Sequence, residues 1–205
     1  MLFILSGDIQ TGKTRWLERL ETQLVMRGVS CYGVIAPGNW IKSDSALADK
    51  NGYEKLGIYN KLLPSHEYIE FAVRDDIAKN AKRYDSGSQA AANNLRWHIS
   101  EEALAAVNEH LVSIQSLMKN DPGPKILIID ELGRLEIEYD GGLTEALHML
   151  ALGSNTIIPH ALIVVRKGLL EKALKKIGET WLDYAVISPD EEALELIIDT
   201  LMLGR

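Results

Sequence analysis

One cysteine in 205 residues, Cys31, leaves no partner for an intrachain disulfide and no second thiolate for a multi-cysteine zinc site, which implies a reducing compartment, the cytoplasm. Long apolar runs are missing as well. The opening Met1-Leu2-Phe3-Ile4-Leu5 lacks a basic leader and is too short for a signal peptide, and no stretch approaches the ~20 apolar residues that a membrane-crossing helix requires. Excess positive charge is absent: the formal net charge is −7, whereas phosphate backbones are held by clustered lysine and arginine, so generic nucleic-acid binding is not expected. His66, His98, His110, His148 and His160 share no metal-ligand spacing with one another or with Cys31. No Asn/Thr-Lys-x-Asp guanine signature and no internal repeat are found, so the preferred base stays open.

What is there suits an ordinary globular chain, 46% hydrophobic and 25% charged, read as a single domain over 1–205 with an inserted region at about 39–94. The apolar opening reads as a strand, followed by a glycine-rich turn, a helix from about Lys13 to Arg27 stopped by Gly28, and a second strand over Ser30 to Ala36 closed by Pro37-Gly38. Beyond it, candidate strands Tyr53 to Tyr59 and Tyr68 to Val73, with turns at Asn51-Gly52 and Leu63-Pro64, predict an antiparallel hairpin beside the main sheet. The polar stretch from Arg74 to Asn94 reads as a mobile loop. Ser100-Glu101-Glu102 caps a helix with Leu104, Val107, Leu111, Ile114 and Met118 on one stripe. The unbroken Ile126-Leu127-Ile128-Ile129 predicts a central parallel strand covered on both faces.

Two more strand–helix pairs follow, Ala161 to Val165 with a helix from about Leu169 to Lys176, and Ala185 to Ile187 with a last helix capped by a box at Ser188-Pro189-Asp190-Glu191. The alternation predicts an α/β fold of the P-loop NTPase type: a doubly wound, mostly parallel sheet with an antiparallel hairpin insertion.

Gly7-Asp8-Ile9-Gln10-Thr11-Gly12-Lys13-Thr14 satisfies G-x-x-x-x-G-K-[ST] at every fixed position, between an apolar strand and a helix. The glycines let the backbone curl until successive N–H groups point inward, and the helix adds its positive end to the same cavity. Such a nest holds phosphate oxygens. Lys13 supplies a cation for the β- and γ-phosphates and Thr14 a hydroxyl for Mg²⁺, so the expected partner is a nucleoside triphosphate, ATP foremost, with Mg²⁺ as cofactor.

The apolar run ending in Asp130-Glu131 delivers two carboxylates to the C-terminal end of a strand, where α/β sheets hold ligands. Asp130 is the candidate for holding Mg²⁺ through its water shell, and Glu131 the candidate general base for an attacking water. Arg134 is a candidate for reaching the phosphates; its alternative is a solvated arginine paired with Glu136 or Glu138. Arg166 is either a sensor of the γ-phosphate or the solvated end of a strand beside Lys167. Trp40, Trp97 and Trp181 have base stacking and plain packing as their two readings, and Lys172, Lys175 and Lys176 suit the C-terminal end of a helix.

Taken together, Gly7 to Thr14, a strand ending in Gly33-Val34-Ile35, and Ile129-Asp130-Glu131-Leu132-Gly133-Arg134-Leu135-Glu136 resemble the THEP-type nucleoside-triphosphatases, a family of small P-loop NTPases that includes a human cancer-related nucleoside-triphosphatase. The Asp-Glu-aliphatic-Gly-x-aliphatic-Glu pattern is the more specific half of the match. The resemblance implies slow Mg²⁺-dependent hydrolysis of ATP and other nucleoside triphosphates, with nucleotide contacts from Gly7 to Thr14, Asp130, Glu131 and the turn after them. Between Pro37 and Leu95 the chain is longer than the family pattern. Two other readings fit the same residues: a phosphotransferase whose acceptor, a nucleoside or small alcohol, binds the 39–94 region, and a slow nucleotide-dependent switch.

Overall fold

A computed structural model describes residues 1–8 and 11–203, so Ile9 and Gln10 of the P-loop lie outside the described residues. The chain runs β1 (Leu2–Gly7), α1 (Lys13–Met26) and β2 (Ser30–Ile35), then enters a wing of β3 (Gly38–Lys42), β4 (Tyr53–Leu63), β5 (Tyr68–Arg74), α2 (Asp75–Asn80), α3 (Gln89–Ala92) and β6 (Trp97–Ile99). It returns through α4 (Glu101–Asn120) to β7 (Lys125–Leu132), α5 (Arg134–Tyr139), α6 (Thr144–Ala151), β8 (Ala161–Arg166), α7 (Leu170–Ile177), β9 (Tyr184–Ile187) and α8 (Glu191–Leu203).

Among the described residues nine strands form one sheet, ordered β6-β5-β4-β2-β7-β8-β1-β9 with β3 on β4. From β2 to β9 every pairing is parallel, and the wing extends the sheet antiparallel from β2. The expected α/β architecture is what forms.

Side-chain alternation inside continuous apolar runs builds the layers. Leu127 and Ile129 of β7, with Leu2 and Ile4 of β1, join a core roofed by Leu104, Val107 and Leu111 of α4 and by α6 and α7. Ile126 and Ile128, with Phe3 and Leu5, face the opposite way onto Leu17, Leu20 and Leu24 of α1 and Leu194 and Ile197 of α8. The sheet is thereby sealed on both sides, and the strand ends are left to carry polar groups. At Gly33 in β2, φ is 112° and an added Cβ would stand 2.0 Å from the Ile128 carbonyl oxygen, so only glycine lets β2 lie this close to β7.

Ser100 caps α4 as expected, its hydroxyl accepting from the Ala103 N–H at 3.3 Å. At the far end of α4, the buried ammonium of Lys125 donates to the carbonyls of Met118 and Asp121.

Three expectations are corrected. The hairpin beside the sheet is a four-strand wing, because β3 and β6 join β4 and β5. The stretch from Arg74 to Asn94, expected to be a mobile loop, holds α2 and α3. Its anchors are small or polar and carry no periodic apolar signal: Ala78, Ala90 and Ser88 are buried, Arg74 pairs with Glu54 and Asp76, and Gln89 bonds Glu101 through both its backbone and its side chain. Finally, α8 is capped by Asp190, whose Oδ1 accepts from the Ala193 N–H at 2.9 Å, rather than by the Ser188 box. Among the described residues no helix is long and apolar enough to cross a membrane.

Candidate functional site

β1 ends at Gly7, beside Arg166 of β8 in the parallel register. Gly12, immediately before α1, has φ 84°, a left-handed conformation in which a side chain is strained. The first turn of α1 contains no acidic residue, and among the described residues no side chain caps it, so its leading N–H groups stay available to an anion. Lys13 folds over this loop: its Nζ donates to the Gly7 carbonyl at 3.1 Å, to the Asp8 carbonyl at 2.5 Å and to Thr11 Oγ1 at 3.3 Å. Burial pulls its ammonium below the ordinary lysine range, while the charges of Glu131 and Asp130 act in the opposite sense.

Asp130 lies on β7 with 3% of its surface exposed. The Ala36 N–H, just past β2, donates to its Oδ2 at 3.0 Å, and the Thr14 hydroxyl is close enough to the same carboxylate to lower its proton affinity. Desolvation is the largest influence and pushes the carboxyl up to about 6, helped by the charge of Glu131 and opposed by the Ala36 and Thr14 contacts. Three chain segments distant in sequence therefore converge on one buried acid.

Glu131 has φ 69°, and the β7–β8 ladder is interrupted between Ile129 and Leu132. This break turns Glu131 out of the regular strand, and its Oε1 accepts from Arg166 Nε at 2.7 Å and from the same guanidinium's terminal nitrogen. Since β8 lies between β1 and β7, Arg166 stands between the start of the P-loop and Glu131. Arg166 thus pairs with Glu131 while its own side chain stays exposed at the end of β8.

Arg134 takes the other alternative. Its Nε donates to Glu138 at 2.8 Å, an i,i+4 partner along α5, and the guanidinium also meets the Tyr139 hydroxyl and ring. Glu136, the last residue of the Asp-Glu-aliphatic-Gly-x-aliphatic-Glu pattern, is a buried staple. Its Oε2 accepts from the Gly133 N–H at 2.8 Å and its Oε1 from the Leu143 N–H at 2.9 Å, while burial raises its proton affinity. An added Cβ at Gly142 would stand 1.9 Å from Glu136 Oε1, so the glycine exists to admit the carboxylate. Glu136→Ala leaves two enclosed N–H donors without their charged acceptor, and the unfolding free energy is expected to fall by about 3 kcal/mol, read by urea denaturation. Lys175 and Lys176 stand in the last turn of α7 as expected, while Lys172 and Lys176 also cross to Glu138 and Asp140 and tie α7 to α5.

Trp181 is core, 2% exposed, with its indole N–H on the Leu150 carbonyl at 2.9 Å. Trp40 and Trp97 are different: both rings face the ammonium of Lys55 on β4. Lys55 carried no sequence signal, because a lysine in an alternating strand reads as a solvated position. Among the described residues no group of three or more His, Cys, Asp or Glu side chains is arranged to hold a metal ion.

No family model matches the chain, and no curated protein matches it. Among solved structures, the solution structure of a human cancer-related nucleoside triphosphatase is similar to it, at 16% identity over 99% of this chain and 95% of that one, with a TM-score of 0.55. That likeness is one of fold.

Proposed function

We propose that the protein hydrolyses the β–γ bond of nucleoside triphosphates, ATP among several, with Mg²⁺. The observation that carries this reading is the meeting of Thr14, at the end of the P-loop, with the buried Asp130, two strands away in the sheet. A hydroxyl and a carboxylate side by side are hard oxygen donors, and beside an anion-binding helix end they fit Mg²⁺, which takes few protein ligands and keeps several waters. The structural neighbour's description as a nucleoside triphosphatase supports the same activity.

In this scheme Thr14 and Asp130 would hold Mg²⁺, which would supply positive charge against the phosphates. Lys13 exchanges the Gly7 and Asp8 carbonyls for phosphate oxygens, and the uncapped N–H groups of α1 take others. Glu131 orients the attacking water and accepts its proton, while the electron pair of the breaking bond passes to the β-phosphate oxygens, where Lys13 and the loop amides neutralise it. Arg166 steadies Glu131 from the neighbouring strand and lies within reach of the same developing charge. Ile9 and Gln10 complete the loop as backbone donors on the strength of the motif alone.

Phosphate release should require Mg²⁺ and proceed with several nucleoside triphosphates, selectivity among bases staying below about a hundredfold because recognition rests on phosphate. No release from any of them at saturating Mg²⁺ would overturn the proposal. Asp130→Asn should raise the Mg²⁺ concentration needed for half-maximal activity by about tenfold or more, the scale found when a group acting through a metal's outer shell is lost. A Mg²⁺ titration of steady-state hydrolysis reads this directly.

A further inference from the structure

Lys55 is a charged residue that this scheme leaves without a part. It lies across the β3–β4 ladder from Trp40, with its ammonium 5.9 Å from the centre of the Trp40 ring and 5.4 Å from that of Trp97. Among the described residues it makes no hydrogen bond and no ion pair. Burial pulls the ammonium below the ordinary lysine range, and the charges it feels are those of Glu131, Asp130 and Arg166, the three that also act on Lys13.

The backbone explains the convergence. An added Cβ at Gly38 would stand 2.3 Å from Trp40 Nε1 and 2.8 Å from Lys55 Cε, so the lysine's stem lies against the chain two residues beyond Ala36, whose N–H holds Asp130. In the sheet, β1 with its P-loop is on one side of β7, and β2 and β4 are on the other. Two lysines therefore approach the Asp130–Glu131 carboxylates from opposite sides. Lys55 also borders a cleft of about 300 Å³ lined by Trp40, Asp49, Tyr53, Arg74 and Trp97. An ammonium held by indole faces and short of anionic partners is preorganised for an incoming anion.

We infer that Lys55 binds the terminal phosphoryl group of the triphosphate from the side opposite Lys13, and so sets the preference for triphosphate over diphosphate. This rests on the P-loop reading above. The test is equilibrium binding of ADP and of a non-hydrolysable ATP analogue, each with Mg²⁺, to the parent protein, Lys55→Met and Lys55→Arg, with tryptophan emission recorded alongside. Trp40 and Trp97 flank the ammonium, whereas Trp181 is buried with its N–H on the Leu150 carbonyl and Trp16, on α1 beside the loop, responds to either nucleotide, so an emission change seen with the triphosphate and not with ADP reports on the surroundings of Lys55.

Lys55→Met should weaken the analogue by about tenfold or more, the scale of a charge-assisted contact. Its affinity for ADP should stay at the parent value and its triphosphate-specific emission change should vanish, while Lys55→Arg keeps both. If Lys55→Met does not fold, Lys55→Gln, which keeps a polar end on a shorter stem, is judged by the same ratio of affinities. An unchanged ratio in a folded variant overturns the role of Lys55 and leaves the P-loop reading standing. Failure of the parent to bind either nucleotide overturns both.

Discussion

Glu131→Gln is expected to lower turnover by about a hundredfold while nucleotide affinity stays near that of the parent. The amide is isosteric and can still accept from Arg166 through its oxygen, so the cluster's geometry is kept and the capacity to take a proton is lost. A general base acts only on the attacking water, whereas a group that binds the ground-state nucleotide would change affinity as well. Single-turnover hydrolysis beside equilibrium binding of a non-hydrolysable analogue separates the two. Normal turnover in Glu131→Gln would remove Glu131 as the base, and Glu136 would not be its replacement, since both of its oxygens hold backbone N–H groups.

Lys13→Ala carries the other large effect. Lys13 is the sole cationic side chain in Gly7 to Thr14, and its ammonium is held by loop carbonyls and by Thr11, outside the apolar core. Turnover should therefore fall by about two to three orders of magnitude, the range for removing one preorganised donor from developing phosphate charge. Thermal unfolding should hardly move, because no buried apolar contact is lost. Turnover at the parent rate would end the assignment of this loop to phosphate.

The fold was legible where burial and periodicity act together. Ile126 to Ile129 announced a doubly covered strand because four apolar residues in a row suit no half-exposed position, and Ser100 announced its helix through its cap. The P-loop and the Asp130–Glu131 pair were legible because fixed backbone chemistry demands fixed residue types. Contacts made across the fold were not. Whether Arg166 or Arg134 would join the carboxylates depended on strand order, which places β8 between β1 and β7. Glu136 read as a partner for Arg134, and only the turn at Gly142 shows it turned inward. Lys55 became visible only once β3 and β4 paired and brought Trp40 against it.

The left-handed backbone of Glu131 has a further consequence for how this protein responds to selection. A non-glycine residue in that region carries strain of roughly 1–2 kcal/mol, more than an exposed carboxylate–guanidinium pair usually returns. Glycine at position 131 would relax the bend between Ile129 and Leu132. A library screened for survival on heating should thus accumulate Glu131→Gly variants that outlast the parent yet, if Glu131 is the proposed base, turn over about a hundredfold more slowly, whereas a library screened for turnover should keep the glutamate at the lower melting temperature. On the proposed role of Glu131, heat resistance and chemistry pull in opposite directions at this one residue.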